Sequence, residues 1–284
     1  MADDVAPEHV AAGVLDALFR AAESGDRELP RSILRPDAFV LTPTADGVLT
    51  SADLVIEDLR RWFDGVAARD ATLRLRSERP VVGASGSGRA IWAFAQVVAE
   101  VVRAGTVTCS VPIRLTALLA RDQDWRIAAA YWSVPFPTQD EQDAVKRAGQ
   151  LEPGRILDEA IDRDAESFVG ALCAALAEPR LIPPLYSTRD DHVTIGSVVD
   201  EVFLGGAARA AWTEFVLHVT SFVPRGPMRA ALVAPDAGWL AANIGVGQPP
   251  TPYRFFYIWI QEESEWRIAV SHDAVSRDPL DAGF

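Results

Sequence analysis

Two side chains able to handle protons occupy matching places in two similar segments of the sequence. Tyr131 follows Trp125 by six residues, and His272 follows Trp266 by six residues. Histidine titrates near neutral pH, and either group could serve as a general acid or base toward a bound molecule. We therefore predict His272 and Tyr131 as catalytic candidates. The alternative for each is a structural side chain that hydrogen-bonds to the backbone.

Asp273 follows His272 directly and suggests a His–Asp pair. Adjacent residues of a β-strand point to opposite faces of the sheet. Asp273 therefore cannot orient the His272 ring unless a β-bulge intervenes.

Aromatic and amide residues at matching places could line a pocket. Gln96 lies four residues after Trp92, and Asn243 lies four residues after Trp239, so each pair shares a face of a strand. An amide on an aromatic face can orient a carbonyl or hydroxyl group of a ligand. The alternatives are core tryptophans and amides that face solvent or the other half. The predicted ligand-binding residues are Trp62, Trp92, Gln96, Trp239, Asn243, Tyr257 and Trp259.

These candidates belong to an internal repeat. The segment Asp124-Trp125-Arg126-Ile127-Ala128 recurs as Glu265-Trp266-Arg267-Ile268-Ala269, 141 residues further on. Short apolar runs after Asp37 and Asp191 also match, and a helical stretch follows each. At the same offset, Phe255 takes the place of Arg114, so the two pockets are expected to differ.

Each half has the same predicted plan, in which a helix opens the half and a short strand, a second helix and several long strands follow. In the last strand, strict alternation puts Trp125, Ile127, Ala129 and Tyr131 on one face, which we expect to look toward the helices and the pocket. The matching face of the second half would carry His272. The predicted helices cover 8–22, 51–66, 155–177 and 206–217.

Strands that follow one another while the helices gather elsewhere predict an α+β fold. We predict a first domain at 1–137, a linker with a short helix at 138–153, and a second, more divergent domain at 154–284. Pro135-Phe136-Pro137 ends the first sheet because proline cannot donate to a strand ladder.

The stretch 111–135 resembles the C-terminal hairpin of SnoaL-like domains, which belong to the nuclear-transport-factor-2-like superfamily. It has the Arg114-Leu115-Thr116 strand, a charged turn and a Trp125-Arg126 strand start, with Tyr131 where the family has histidine. The second half keeps Trp266-Arg267-Ile268, and its His272 stands at the histidine position. Asp273 departs from the family pattern there.

The resemblance implies two cone-shaped domains, each with a curved antiparallel sheet wrapped around helices and an apolar pocket between them. Such domains commonly pair through their sheets, so a tandem copy could form an intramolecular pseudo-dimer. Enzymes among these relatives use buried carboxylates or histidines as acid or base.

Composition excludes several function classes. The 284 residues include 27 Lys plus Arg and 40 Asp plus Glu, a net charge of -13, which disfavours binding to nucleic acid or to an anionic membrane. No apolar run is long enough to cross a membrane, and the acidic N-terminus does not resemble a signal peptide, so we expect a cytoplasmic protein. Cys109 and Cys173 fit no metal-ligand spacing. We predict no cofactor and no metal.

Together these features predict a SnoaL-like protein of bacterial type that binds a small apolar or aromatic molecule in a cone pocket. One alternative is an enzyme of the polyketide-cyclase or ketosteroid-isomerase sort that uses His272 or Tyr131. The other is a non-catalytic interaction scaffold. Whether the pseudo-dimer pairs again as a homodimer is left open.

Overall fold

The computed structural model describes residues 5–26, 28–44, 46–147, 158–219 and 221–276. The predicted domain boundary near residue 150 lies outside them, and the domain limits stay a prediction. The first half contains helices α1 (Pro7–Ser24), α2 (Leu29–Ile33) and α3 (Ala52–Ala67) and strands β1 (Leu34–Leu41), β2 (Val48–Leu49), β3 (Ala71–Ser77), β4 (Val81–Ala84), β5 (Ala90–Arg103), β6 (Thr106–Arg121) and β7 (Trp125–Ser133).

Helix α4 (Gln139–Arg147) follows the first sheet. The second half contains helices α5 (Glu166–Ala177) and α6 (Gly205–His218) and strands β8 (Ala160–Ile161), β9 (Val193–Ile195), β10 (Val202–Leu204), β11 (Phe222–Pro224), β12 (Arg229–Ala234), β13 (Ala237–Val246), β14 (Thr251–Glu262) and β15 (Glu265–Ala274).

The two sheets share one strand order, which shows that the second half repeats the first. The first sheet runs β2-β1-β7-β6-β5-β3 with β4 also on β5, and the second runs β10-β9-β15-β14-β13 with β12 and β11 both on β13. In each sheet the short strand after the first helical region pairs in parallel with the last strand, and the long strands pair antiparallel. The fold is α+β, as predicted.

Local sequence explains the helices next to the first sheet. Helix α1 buries Ala11, Val14, Leu15, Leu18 and Ala22, the spacing of one helical face, and Gly25 ends it in the left-handed conformation at φ 66°. Helix α3 begins at Ser51, whose Oγ accepts a hydrogen bond from the Leu54 amide at 3.3 Å. Both helices pack on the same face of the first sheet.

The helix predicted at 155–177 needs correction. It begins at Glu166, because Ala160–Ile161 instead pairs with β12 as a short strand; residues 155–157 are outside the described part.

Pro112 lies where β6 pairs only with β5, since the β7 pairing begins at Arg114. Proline is tolerated at such a position, because one side of the strand has no ladder partner there.

The interior is divided into three apolar layers. One lies between α1, α3 and the first sheet, and one lies between α5, α6 and the second sheet. The third lies between the two sheets and joins Phe39, Trp92 and Phe94 with Trp239 and Phe256. Each fully buried aromatic side chain in such a layer contributes about 1.5–3 kcal/mol relative to exposure.

Candidate functional site

The two sheets contact each other through pseudo-symmetric interactions. Arg114 of β6 donates to the backbone carbonyls of Gly196 and Val198 in the other half. Arg254 of β14 donates to the carbonyls of Thr42 at 3.1 Å and Thr44 at 3.0 Å. Both arginines are almost fully buried.

The acceptors are also equivalent. Leu41 pairs with Tyr131, and Ile195 pairs with His272, so Thr42 and Gly196 each follow the matching strand directly. Each half therefore gives the other the same contact, as in an isologous dimer.

The register corrects one sequence-based match. Arg114 pairs with Gln96, and Arg254 pairs with Asn243, so Arg254 rather than Phe255 is the equivalent of Arg114. The reason is the turn before the last strand, which has one residue more in the second half. Three residues separate Arg121 from its partner Trp125, whereas four separate Gln261 from Trp266.

His272 and Tyr131 lie in the layer between the sheets. The His272 ring contacts the Tyr131 ring with centroids 4.3 Å apart. Its Nδ1 is 2.9 Å from Thr116 Oγ1, and its Nε2 is 2.7 Å from Ser133 Oγ. Both ring nitrogens thus have hydroxyl partners from the opposite half.

Burial shifts the pKa values of both groups away from neutral pH. Desolvation, with a smaller contribution from Arg114, holds the pKa of His272 well below its usual value. Desolvation also raises the pKa of Tyr131. Both side chains are therefore neutral groups of the interface between the sheets.

The prediction that these side chains look toward the helices is wrong, and a β-bulge is the reason. The register between β6 and β7 shifts between Leu118 and Leu119, and the register between β14 and β15 shifts between Ile258 and Trp259. Ala128 and Ala269 are the extra residues. A bulge reverses the alternation beyond it. Ile127 consequently faces the helices, whereas Ala129 and Tyr131 face the other sheet.

The same reversal places Trp132 and Asp273 on the helix side of their sheets. Each lies one residue after the predicted catalytic candidate, and each lines a cavity. No alternation signal in the sequence indicates this, because the bulge falls in runs of small or apolar residues. His272 and Tyr131 line neither of the two cavities that contain Trp132 and Asp273, so a catalytic role for them stays a prediction without support from the geometry.

The first cavity has a volume of about 370 Å³ and lies between α1, α3 and the first sheet. Its polar lining is confined to Thr42, Thr44, Asp58, Arg61 and Arg69. The apolar lining residues are Leu18, Ala22, Val40, Pro43, Leu49, Val55, Leu59, Trp62, Phe63, Val66, Leu73, Leu75, Ile113 and Trp132.

Asp58 is the carboxyl group of the first cavity. Burial raises its pKa, and Arg61, whose Nη2 is 3.9 Å from Asp58 Oδ1, acts in the opposite direction. The side chain keeps 39% of its surface exposed, so its surroundings are only partly desolvated.

The second cavity has a volume of about 390 Å³ and lies between α4, α6 and the second sheet. Aromatic rings from several elements form its wall, and three carboxyl side chains line it. The lining residues are Gln139, Gln142, Lys146, Thr194, Gly196, Ser197, Glu201, Phe203, Ala211, Trp212, Glu214, Phe215, Val246, Tyr253, Phe255 and Asp273.

Asp273 is the most perturbed carboxyl group of the second cavity. Its Oδ1 is buried and has no hydrogen-bond partner among the described residues. Desolvation, followed by the charge of Glu201, raises the pKa of Asp273 well above its usual value, while Arg114 acts against this. A carboxyl group in such surroundings can either hold a proton or attract a cation.

The predicted ligand-binding residues fall into different environments. Trp62 alone among them lines the first cavity. Gln96 lines a smaller pocket of about 280 Å³ next to Arg114. Trp92 and Trp239 lie between the sheets, and the Trp239 ring stacks on Phe39 at 4.2 Å.

The remaining three residues are enclosed. Asn243 is buried on the face of β13 that meets the other half. Tyr257 and Trp259 face the helices, where Trp259 stacks on Phe168 at 5.4 Å. Sequence reasoning missed Trp132, Asp58 and Asp273 as cavity residues. The one available signal for Asp58 was its position four residues before Trp62, on the same face of the helix.

No helix in the described parts of the chain combines the length and apolarity required to cross a membrane. Across those same residues, no group of three or more His, Cys, Asp or Glu side chains is placed to hold a metal ion.

Comparison with known proteins identifies the fold. Residues 12–137 match the family model of the SnoaL-like domain, and for these residues the predicted family is confirmed. The second sheet, outside the matched residues, repeats the strand order of the first. No curated protein matches the chain.

Solved structures resemble the chain over about half of its length. An NTF2-like protein of unknown function in nutrient uptake from Rhodospirillum rubrum has 24% identity and a TM-score of 0.35, covering 43% of this chain and 96% of that one. Aln2 from a Streptomyces species has 15% identity and a TM-score of 0.40, covering 49% and 93%. ActVI-ORFA from Streptomyces coelicolor has 11% identity and a TM-score of 0.39, covering 44% and 95%.

Proposed function

We propose that the protein binds a small, largely apolar organic molecule in the first cavity. The observation that carries the proposal is the cavity itself, about 370 Å³ of space under α1 and α3 with a mostly apolar lining. Ligand pockets of proteins commonly have this size and combine an apolar wall with few polar groups. Cavities in both halves favour this function over a pure interaction scaffold.

Trp62 and Trp132 give the first cavity two aromatic surfaces from opposite sides, one on α3 and one on β7. An aromatic ligand stacked on one of these rings gains about 0.5–1.5 kcal/mol beyond the burial of apolar area. Asp58 and Arg61 supply polar groups able to orient a ligand hydroxyl or carbonyl.

The experiment is a fluorescence titration of the full chain with N-phenyl-1-naphthylamine, an uncharged apolar probe. We expect saturable binding that Trp62→Leu weakens about five- to tenfold, the equivalent of the stacking energy above. Ala22→Leu, which places extra volume in the cavity, also weakens binding. Trp125→Leu is the matched control, because Trp125 is half-buried outside the cavity.

Unchanged affinity in both Trp62→Leu and Ala22→Leu, or no binding at all, would refute the proposed site. Thermal unfolding of each variant shows whether a loss of binding follows from a loss of structure.

A second candidate function is acid–base catalysis in the same cavity, with Asp58 as the reacting carboxyl group. The favouring observation is the raised pKa of a carboxyl group that lines an apolar cavity. Turnover of an enolisable ketone that is lost in Asp58→Asn, with probe affinity kept, would support it. Absence of turnover over a broad panel of such ketones counts against it.

A further inference from the structure

The second cavity differs from the first in the charge of its lining. Glu201, Glu214 and Asp273 line it, against one basic residue, Lys146. Lys146 is already paired, with its Nζ 3.0 Å from Gln142 Oε1 and 3.5 Å from Asp143 Oδ1. The cavity therefore has an excess of negative groups.

Four buried polar atoms in this lining have no partner among the described residues: Asp273 Oδ1, Ser197 Oγ, Trp212 Nε1 and Gln142 Nε2. The Trp212 side chain is only 4% exposed. An unpaired buried polar group destabilises the protein, so a ligand that pairs with Asp273 Oδ1 gains affinity. An acceptor without a donor calls for a ligand with a donor or a positive charge.

The wall of the cavity is suited to a cation. Trp212, Phe215, Tyr253 and Phe255 present aromatic rings around it. The ammonium group of Lys146 already lies over the Tyr253 ring, 5.8 Å from its centroid. Aromatic faces attract ammonium groups at this distance.

We infer that the second cavity is a binding site for an organic cation, an ammonium group carried on a small apolar or aromatic body. Asp273 and Glu201 supply the negative charge, and the rings of Trp212 and Tyr253 enclose the apolar part. The site is independent of the first cavity, because the two lie on the helix sides of different sheets.

Arg114 does not neutralise the negative charge that Asp273 and Glu201 supply to the second cavity. Its guanidinium donates to the carbonyls of Gly196 and Val198, on the loop that carries Glu201. Glu201 in turn accepts the Val198 amide at 2.8 Å. Burial and Glu201 raise the pKa of Asp273 despite Arg114, so a cation bound beside this carboxyl group would supply the counter-charge that favours its ionised form.

The test is calorimetric titration of the full chain with phenyltrimethylammonium and with tert-butylbenzene, its uncharged isostere. We expect the cation to bind at least tenfold more tightly than the isostere. Asp273→Asn should weaken binding of the cation at least tenfold and binding of the isostere less than twofold. Glu201→Gln keeps the acceptor for the Val198 amide, and we expect it to lower the affinity for the cation severalfold.

Lys146→Met is expected to have the opposite effect on binding of the cation. It removes the ammonium group that competes for the Tyr253 ring, so we expect severalfold tighter binding of the cation. This variant and Glu201→Gln decide the question if Asp273→Asn does not fold.

Equal affinity for the cation and its isostere would overturn the inference. So would loss of cation binding in Asp58→Asn with retention in Asp273→Asn, which would assign the cation to the first cavity. Neither result bears on the naphthylamine titration, so failure here is distinguishable from failure of the proposed function.

Discussion

The two halves of the molecule share a frame but differ in what lines their cavities. Each half has the same strand order, a bulge at an equivalent alanine and a buried arginine that reaches the other half. On the helix side, however, Trp132 in the first half corresponds to Asp273 in the second. One cavity is mostly apolar, and the other combines aromatic rings with carboxyl groups.

The contrast between the two cavities shows where substitutions are tolerated in the molecule. Residues between the sheets must fit the opposite half, so a substitution there disturbs both. Residues that line the cavities on the helix side, such as Trp132 and Asp273, do not have to fit the side chains of the opposite sheet. The cavities could therefore diverge while the arginine contacts and the bulges stayed equivalent.

We expect the greatest loss of stability when the tryptophans between the two sheets are removed, because their role is structural. Trp92→Ala and Trp239→Ala each remove a buried ring from the layer between the sheets, and we expect each to lower the free energy of unfolding by about 3–5 kcal/mol. Urea unfolding measures the loss. A ligand-binding role would instead show as weakened probe binding with a loss of stability below about 1 kcal/mol.

The next largest loss of stability is expected at the two buried arginines, each of which contacts the opposite half. Arg114→Met and Arg254→Met each leave two buried carbonyl groups without their donor, so we expect similar losses of about 2–4 kcal/mol in unfolding free energy. Arg126→Met is the matched control, because Arg126 is 38% exposed and its nearest acidic group is 3.9 Å away. A loss in only one of the two buried positions would contradict the pseudo-symmetry.

A smaller effect concerns pH and separates the interface histidine from a catalytic one. The pKa of His272 is lowered in the folded protein, so between its folded value and about 6.5 the unfolded chain binds more protons. Stability is therefore fully present above pH 6.5 and falls as the pH drops. One such group contributes up to about 1.4 kcal/mol per pH unit.

His192 adds to the same slope, since burial lowers its pKa to about 4. We expect His272→Gln and His192→Gln each to flatten the pH dependence of the unfolding free energy between pH 6.5 and 5. His218→Gln, at an exposed position, is the control. An unchanged slope in His272→Gln would argue against a neutral, buried His272.

Much of the frame was predictable from the sequence. The Trp-Arg-Ile-Ala repeat and the matching of Trp92 with Trp239 and of Gln96 with Asn243 agree with the observed register. The faces of the last strands were not predictable. A bulge at Ala128 or Ala269 cannot be recognised from the sequence, because the residues around it are small or apolar. It nevertheless exchanges the residues that face the helices with those that face the other sheet.

The predicted match of Phe255 with Arg114 was wrong for a related reason. A fixed offset of 141 residues holds for β7 and β15 but not for β6 and β14, because the intervening turn is one residue longer in the second half. Asp273 was assessed only as a partner of His272, and its own place in a cavity depends on the bulge. Locating the candidate sites therefore required knowledge of the strand register, whereas predicting the fold did not.

The most direct test of two separate, chemically different cavities is native mass spectrometry with N-phenyl-1-naphthylamine and phenyltrimethylammonium added together. We expect a ternary complex with one copy of each probe. Trp62→Leu should lower the occupancy of the first probe alone, and Asp273→Asn should lower the occupancy of the second probe alone. Mutual displacement of the two probes, or loss of both in one of these folded variants, would contradict it.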